Sequence, residues 1–205
     1  FIFSFKICFS QVGEWVWISG DSTINPISNF GIQGISSPSN QPPSLYEACE
    51  WTDLNGNFWL FGGGNSAGYY SDVWKFDPLT NEWTWMKGPG IANDPGVYGV
   101  QGIPSVLNNP PSRTYGMNSW VDINGNFWMF GGGGGNPPGL YSDLWKYDVS
   151  TNVWTWMKGP SIVNQPGVYG TKGVSNIHNN PVCRQETAAS WTDNSGNLWL
   201  FGGCG

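Results

Sequence analysis

Hydrophobic positions along this 205-residue chain come in short alternating bursts rather than at helical spacing. Asn81-Glu82-Trp83-Thr84-Trp85 alternates rings with polar residues, the two-residue period of a half-buried strand. Arg113 to Val121 reads as a strand ending at Asp122-Ile123-Asn124-Gly125, a hairpin signal because Asn and Gly accept the positive φ of tight reversals. Asn126 to Phe130 is a continuous apolar run, the pattern of a strand covered on both faces. Ser142 to Asp148 predicts another strand, and Asp148 to Asn152 turns into the next Trp-Thr-Trp. No stretch carries the period of an amphipathic helix, so the expectation is an all-β fold.

The pattern is written three times. NGNFWLFGGG at 55–64 returns as NGNFWMFGGGGG at 124–135 and as SGNLWLFGGCG at 195–205. Trp15-Val16-Trp17 returns as Trp83-Thr84-Trp85 and Trp154-Thr155-Trp156; Trp51, Trp120 and Trp191 form a second series, Trp59, Trp128 and Trp199 a third, and Trp74 and Trp145 complete the 14 tryptophans. Self-similarity at a fixed period marks a repeat architecture, here with units 14–80, 81–151 and 152–205. Four short antiparallel strands per unit favour a blade of a β-propeller, eleven strands in all, in about three blades of an incomplete ring. Gly62-Gly63, Gly131-Gly132 and Gly202-Gly203 are expected where the backbone bends or another chain segment comes too close for a Cβ. The aromatic columns are expected to fill the wedge between blades, each fully buried ring contributing roughly 1.5–3 kcal/mol.

Composition narrows the function. Aromatics make 16% of the chain and charged residues only 11%, with 30 Gly and 15 Pro. The net charge of -6 and eight scattered Lys and Arg form no basic stripe, which argues against nucleic acid as a partner. No apolar run approaches the roughly twenty residues of a membrane span, and no partner-binding helical segment is evident. The chain begins without Met and stops two residues after a Gly-Gly pair, and so reads as a fragment. Residues 1–10, FIFSFKICFS, read as the remnant of a secretory signal peptide ahead of a partial propeller at 11–205. Alternatively they form a strand, since Phe5-Lys6-Ile7 precedes Trp15 much as Trp74-Lys75-Phe76 precedes Trp83. The first reading implies a secreted or cell-surface protein.

The order Arg113, Phe130-Gly131-Gly132, the Asp143 to Asp148 strand and Trp154 resembles the kelch motif, with its Arg-bearing inner strand, double glycine, aromatic third strand and Trp in the fourth. The third copy keeps Arg184 and Phe201-Gly202-Gly203, and the first keeps Phe61-Gly62-Gly63, Phe76 and Trp83. In the first copy Leu45 or Ser44 stands where the Arg would be. The resemblance covers residues 14–205 and implies a kelch-type β-propeller with Trp15, Trp83 and Trp154 in structural columns. Kelch units run near fifty residues; here the excess lies in long loops at 18–43, 86–111 and 157–182, as in the longer-loop kelch proteins of microbial surfaces.

Those loops are the candidate contact surface, because structureless loops of this length are uncommon and often bind something. Ile91 to Gly99 returns as Ile162 to Gly170, which singles out Asn93, Tyr98, Asn164 and Tyr169 as ligand or partner contacts; the competing role for the Val-Tyr pairs is to pin each loop to its neighbour. The tryptophans belong to the core, since none stands outside a column. Asp53 to Asn57 and Asp122 to Asn126 resemble the start of a Ca²⁺ loop, but Gly64 or Gly133 stands at the closing position, so they read as hairpins and no metal is expected. The glycines at 131–135 lead to no Lys-Ser/Thr pair and read as a connector. His178 is the single histidine, so no catalytic residue and no cofactor is assigned. Galactose oxidase is a kelch-type propeller that binds copper through a His, Tyr and Cys cluster not visible here; a galactose-oxidase-like or glycan-processing enzyme with its site in further blades is the rival. The four cysteines predict no specific bridge, with Cys183 facing a position beyond Cys204. The expected function is a non-catalytic binding or structural module whose ligand is protein or carbohydrate.

Overall fold

A computed structural model describes residues 15–204. Both readings of residues 1–10, and Cys8, lie outside the described residues. Strands β1 (Cys49–Thr52) and β2 (Phe58–Phe61) open the first sheet. A two-residue hairpin, β3 (Gly64–Asn65) with β4 (Gly68–Tyr69), follows, and then β5 (Val73–Asp77) and β6 (Glu82–Lys87) complete the sheet in the order β1-β2-β5-β6. The second sheet repeats this with β7 (Asn118–Val121), β8 (Phe127–Phe130), a hairpin of β9 (Gly133–Gly134) and β10 (Gly139–Leu140), then β11 (Leu144–Asp148) and β12 (Val153–Lys158). A third sheet pairs β13 (Gln185–Thr192) with β14 (Leu198–Cys204). The fold is all-β, built of antiparallel sheets that do not close into a ring. The unit boundaries at 81 and 152 fall just before the fourth strand of a sheet.

Three departures from the sequence reading have local causes. Trp15-Val16-Trp17 lies in no sheet among the described residues, and Trp15 is 99% exposed. The expected strand from Arg113 to Val121 is broken by positive φ at Tyr115 and Gly116, leaving a single bridge from Thr114 to Gly133 before β7 begins. The two small hairpins after the double glycines carry almost no side-chain pattern and were not foreseen.

Alternation sends one face of each sheet against the next. Cys49, Trp51, Trp59, Phe61 and Val73 of the first sheet meet Phe127, Met129, Trp145, Tyr147 and Trp154 of the second in one buried cluster. Trp51 stacks on Phe127 with ring centroids 5.1 Å apart and also donates its Nε1–H to the Trp128 carbonyl at 3.2 Å. Trp120 repeats that bond onto the Trp199 carbonyl at 3.0 Å. The inner-strand indoles are therefore both filler and clasp between neighbours. The double glycines serve the same junction: the Gly63 amide donates to the Arg113 carbonyl and the Gly132 amide to the Arg184 carbonyl, at 2.9 and 2.8 Å. A Cβ on Gly62 or Gly131 would stand 2.6 Å from that same oxygen.

The hairpin turns are closed by aspartates. Asp122 accepts from the amides of Asn124 and Asn126, the Asn126 side chain and Trp128 Nε1–H. Asp53 and Asp193 do the same in their copies. Burial works against ionisation of Asp122, but the Trp128 and Asn126 donors outweigh it and hold its carboxyl below the usual range. These carboxylates are spent on their own turns.

Candidate functional site

The first two long loops each lie along the outermost strand of a sheet. In the second sheet the Gly102 amide donates to the Trp156 carbonyl at 2.8 Å, Ser105 bridges to Trp154, and the buried Asn108 sends Nδ2–H to both the Ile103 and Trp154 carbonyls at 3.1 Å. In the first sheet Gly34, Ser37 and Asn40 repeat those bonds onto Trp85 and Trp83. The free edge of an outer strand invites pairing with another chain, and the loop closes it.

The four contact candidates from the sequence are placed as follows. Asn93 Oδ1 accepts from the Tyr69 amide at 3.1 Å, and Asn164 Oδ1 from the Leu140 amide at 2.8 Å, so both fasten a loop to a small hairpin. Tyr98 lies between Trp145 and Trp156 and donates its hydroxyl to Asp143 Oδ2 at 2.6 Å. Tyr169, 60% exposed, places its hydroxyl 3.2 Å from Arg184 Nη2. Cys49, Cys183 and Cys204 are free thiols, and burial pushes the Cys49 thiol up.

Tyr98 leads to the most concentrated chemistry in the molecule. Arg113 and Asp143, both fully buried, pair through Nη1–Oδ1 at 2.6 Å and Nη2–Oδ2 at 2.8 Å. Arg113 also donates Nε–H to the Pro111 carbonyl and Nη1–H to the Gly131 carbonyl, and lies 3.9 Å from the centre of the Tyr141 ring. Trp145 Nε1–H gives Asp143 a further donor at 2.8 Å. Burial disfavours the cation, yet Asp143 more than offsets it and raises the Arg113 guanidinium. Burial and then the Asp143 charge raise the Tyr98 phenol.

The first sheet keeps the aspartate and loses its partners. The bridges from Tyr46 to Gly64 and from Thr114 to Gly133 equate Tyr46 with Thr114, so Leu45, not Ser44, stands in the arginine position. Phe30, packed on Trp74 and Trp85 as Tyr98 packs on Trp145 and Trp156, replaces the phenol. Asp72 remains buried, with Oδ1 accepting from Trp85 Nε1–H and the Gly90 amide while Oδ2 has no partner. Burial, reinforced by the nearby Asp94 charge, pushes its carboxyl up to about 7 despite those two donors. The sequence reading missed Asp72, Asp143 and the Asn40, Asn108 and Asn179 column, although the repeat alignment carries all of them.

A family model described as the Kelch motif matches residues 54–84, which hold β2, β5 and the double glycine between them. That segment carries a kelch motif. Kelch domain-containing protein 10 of Rattus norvegicus is 27% identical over 169 residues, an alignment covering 59% of this chain and 40% of the relative. The solved chain titled "Structure of YjhT" aligns with a TM-score of 0.41 and 18% identity, over 58% of this chain and 38% of that one. The chain thus spans well under two thirds of either protein. Its remaining copies follow the matched segment column by column, with Phe130-Gly131-Gly132 and Phe201-Gly202-Gly203 at the same junctions.

Proposed function

We propose that this kelch-repeat chain is a non-catalytic binding or structural module that meets a protein partner along its outer rim, through the loops that seal each sheet. One observation carries the reading. Ile35, Ile103 and Val174 occupy the same position in three successive loops, and each is 57% exposed. Their backbone is fixed: the neighbouring Asn40, Asn108 and Asn179 side chains donate to the carbonyls of those three residues. Aliphatic groups held outward at regular intervals on rigid loops suit apolar contact with another surface. Asn93, Tyr98 and Asn164 shape the loops in this reading, and Tyr169 adds an exposed ring. The apolar residues 1–10 support a secreted or cell-surface location.

The test is to replace Ile35, Ile103 and Val174 together with Asp and measure melting and binding separately, against panels of purified extracellular proteins and of glycans. Unchanged melting with lost protein binding supports the rim. Protein binding that survives the triple substitution, or a response confined to glycans, defeats it. Fusing residues 1–20 to a reporter tests export.

A further inference from the structure

We infer that the first sheet carries a binding site for a guanidinium cation, at the place that the Arg113 side chain fills in the second sheet. The two sheets build one socket twice. In the second, the guanidinium of Arg113 lies on the Tyr141 ring, meets Asp143 through two parallel hydrogen bonds, and gives two further donors to the Pro111 and Gly131 carbonyls. In the first, Tyr70, Asp72, Pro43 and Gly62 stand at the corresponding positions. The Tyr70 amide donates to the Gly63 carbonyl as the Tyr141 amide donates to that of Gly132, both at 2.9 Å, and the Gly62 amide meets the Asp72 carbonyl as the Gly131 amide meets that of Asp143. The cation alone is replaced, by Leu45.

What Leu45 lacks has the composition of the ligand. A leucine side chain ends at its δ carbons, where arginine goes on through Nε, Cζ and two Nη atoms, and these are the heavy atoms of a guanidinium ion. Phe30 in place of Tyr98 removes one more polar group from the same spot.

Two buried polar atoms are left without partners by this exchange. Asp72 is 3% exposed with Oδ2 unbonded, and Trp74 is 1% exposed with Nε1–H unbonded. Buried polar groups are nearly always paired. Their counterparts are paired with each other, Trp145 Nε1–H donating to Asp143 Oδ2 at 2.8 Å. With no guanidinium to face, the Asp72 carboxylate turns instead to Trp85 Nε1–H at 3.1 Å and the Gly90 amide at 2.7 Å, and Trp74 is stranded. The charged neighbour acting on Asp72 is Asp94, a second acid that favours an entering cation. A planar guanidinium satisfies a carboxylate with two parallel donors, which a compact ammonium cannot do. Once it is bound, Asp72 stands to Trp74 as Asp143 stands to Trp145.

The test titrates millimolar guanidinium chloride into the chain at pH 8, where Asp72 is ionised, against equal concentrations of ammonium and sodium chloride. Guanidinium alone is expected to raise the melting temperature by a few degrees, as a ligand of the folded state does, although the same ion unfolds proteins at molar concentration. In isotope-labelled protein the Trp74 indole Nε1–H resonance is expected to move in the same titration, as it gains Asp72 for an acceptor. Asp72→Asn abolishes both responses. Leu45→Arg raises the melting temperature without added ligand and abolishes the response, because its own side chain fills the socket. The tripeptide Gly-Arg-Gly separates two sources of the same chemistry: a response to guanidinium alone assigns the site to the free ion, and a response to both extends it to arginine side chains. A melting temperature that guanidinium raises no more than the reference salts, a rise that survives either substitution, or a Trp74 resonance that stays fixed while melting rises overturns the inference.

Discussion

Arg113 and Asp143 face each other in a two-pronged ion pair sealed from solvent, and Tyr98 from the preceding loop adds its hydroxyl to the same carboxylate. Removing one member of such a pair leaves the other charged and unpaired, which costs about 3–5 kcal/mol. Arg113→Leu is expected to destabilise by that amount in urea titration, and adding Asp143→Asn to recover more than half of it. The first sheet, with Leu45 in the arginine position, shows that the architecture accepts the aliphatic residue.

Asp72 predicts a pH dependence of the opposite sense to ordinary acid unfolding. Its carboxyl sits at about 7 in the folded chain and at about 3.9 when unfolded. Between those limits the folded state holds a proton that the unfolded state releases, so stability falls as pH rises from about 4 to about 7. Asp53 and Asp122 are held low instead, and their contribution is lost only below that window. Asp72→Asn should raise the melting temperature by several degrees at pH 8 and narrow the gap between pH 5 and pH 8.

Glycines at the sheet junctions should prove less replaceable than glycines at loop tips. Gly131 has φ 74° and would bring a Cβ within 2.6 Å of the Arg184 carbonyl, whereas Gly102, with φ 80°, faces open space. Gly102→Ala should cost about 1 kcal/mol for the left-handed backbone alone. Gly131→Ala adds the collision and should cost about 2–4 kcal/mol. Thermal unfolding of the two variants side by side measures the difference.

Asn108→Ala should release the loop from the outer strand of the second sheet. Two carbonyls lose their donor, at about 1–3 kcal/mol, and the Gly102 amide should exchange with deuterium much faster. Amides between β7 and β8 should be unaffected, which hydrogen exchange read by mass spectrometry resolves.

Much of this fold could be read from the chain because burial in a repeat protein is stamped locally and then copied. The alternation around Trp83 and Trp154, the hairpins at Asp122 and Asp193, and the double glycines each carry their own signal. Asn108 does not. Its partner strand lies 46 residues further on, and a single asparagine in a Gly- and Pro-rich stretch looks like any turn residue. Arg113 was legible as a motif position, but an arginine in a strand says nothing of the aspartate thirty residues later that makes its burial tolerable. Leu45 and Ser44 could not be separated by counting, because the first copy lacks one residue before β1, and only the bridge from Tyr46 to Gly64 sets the register.

The loop that seals each outer strand ties the segment leading into a sheet to that sheet's last strand. Gly102 precedes Trp156, its acceptor, by more than fifty positions, a long-range pairing of the kind that slows folding. The 99–108 segment has its partner only once the last strand of that sheet, Val153–Lys158, is present. Each of these two sheets is therefore sealed only when its latest strand is in place.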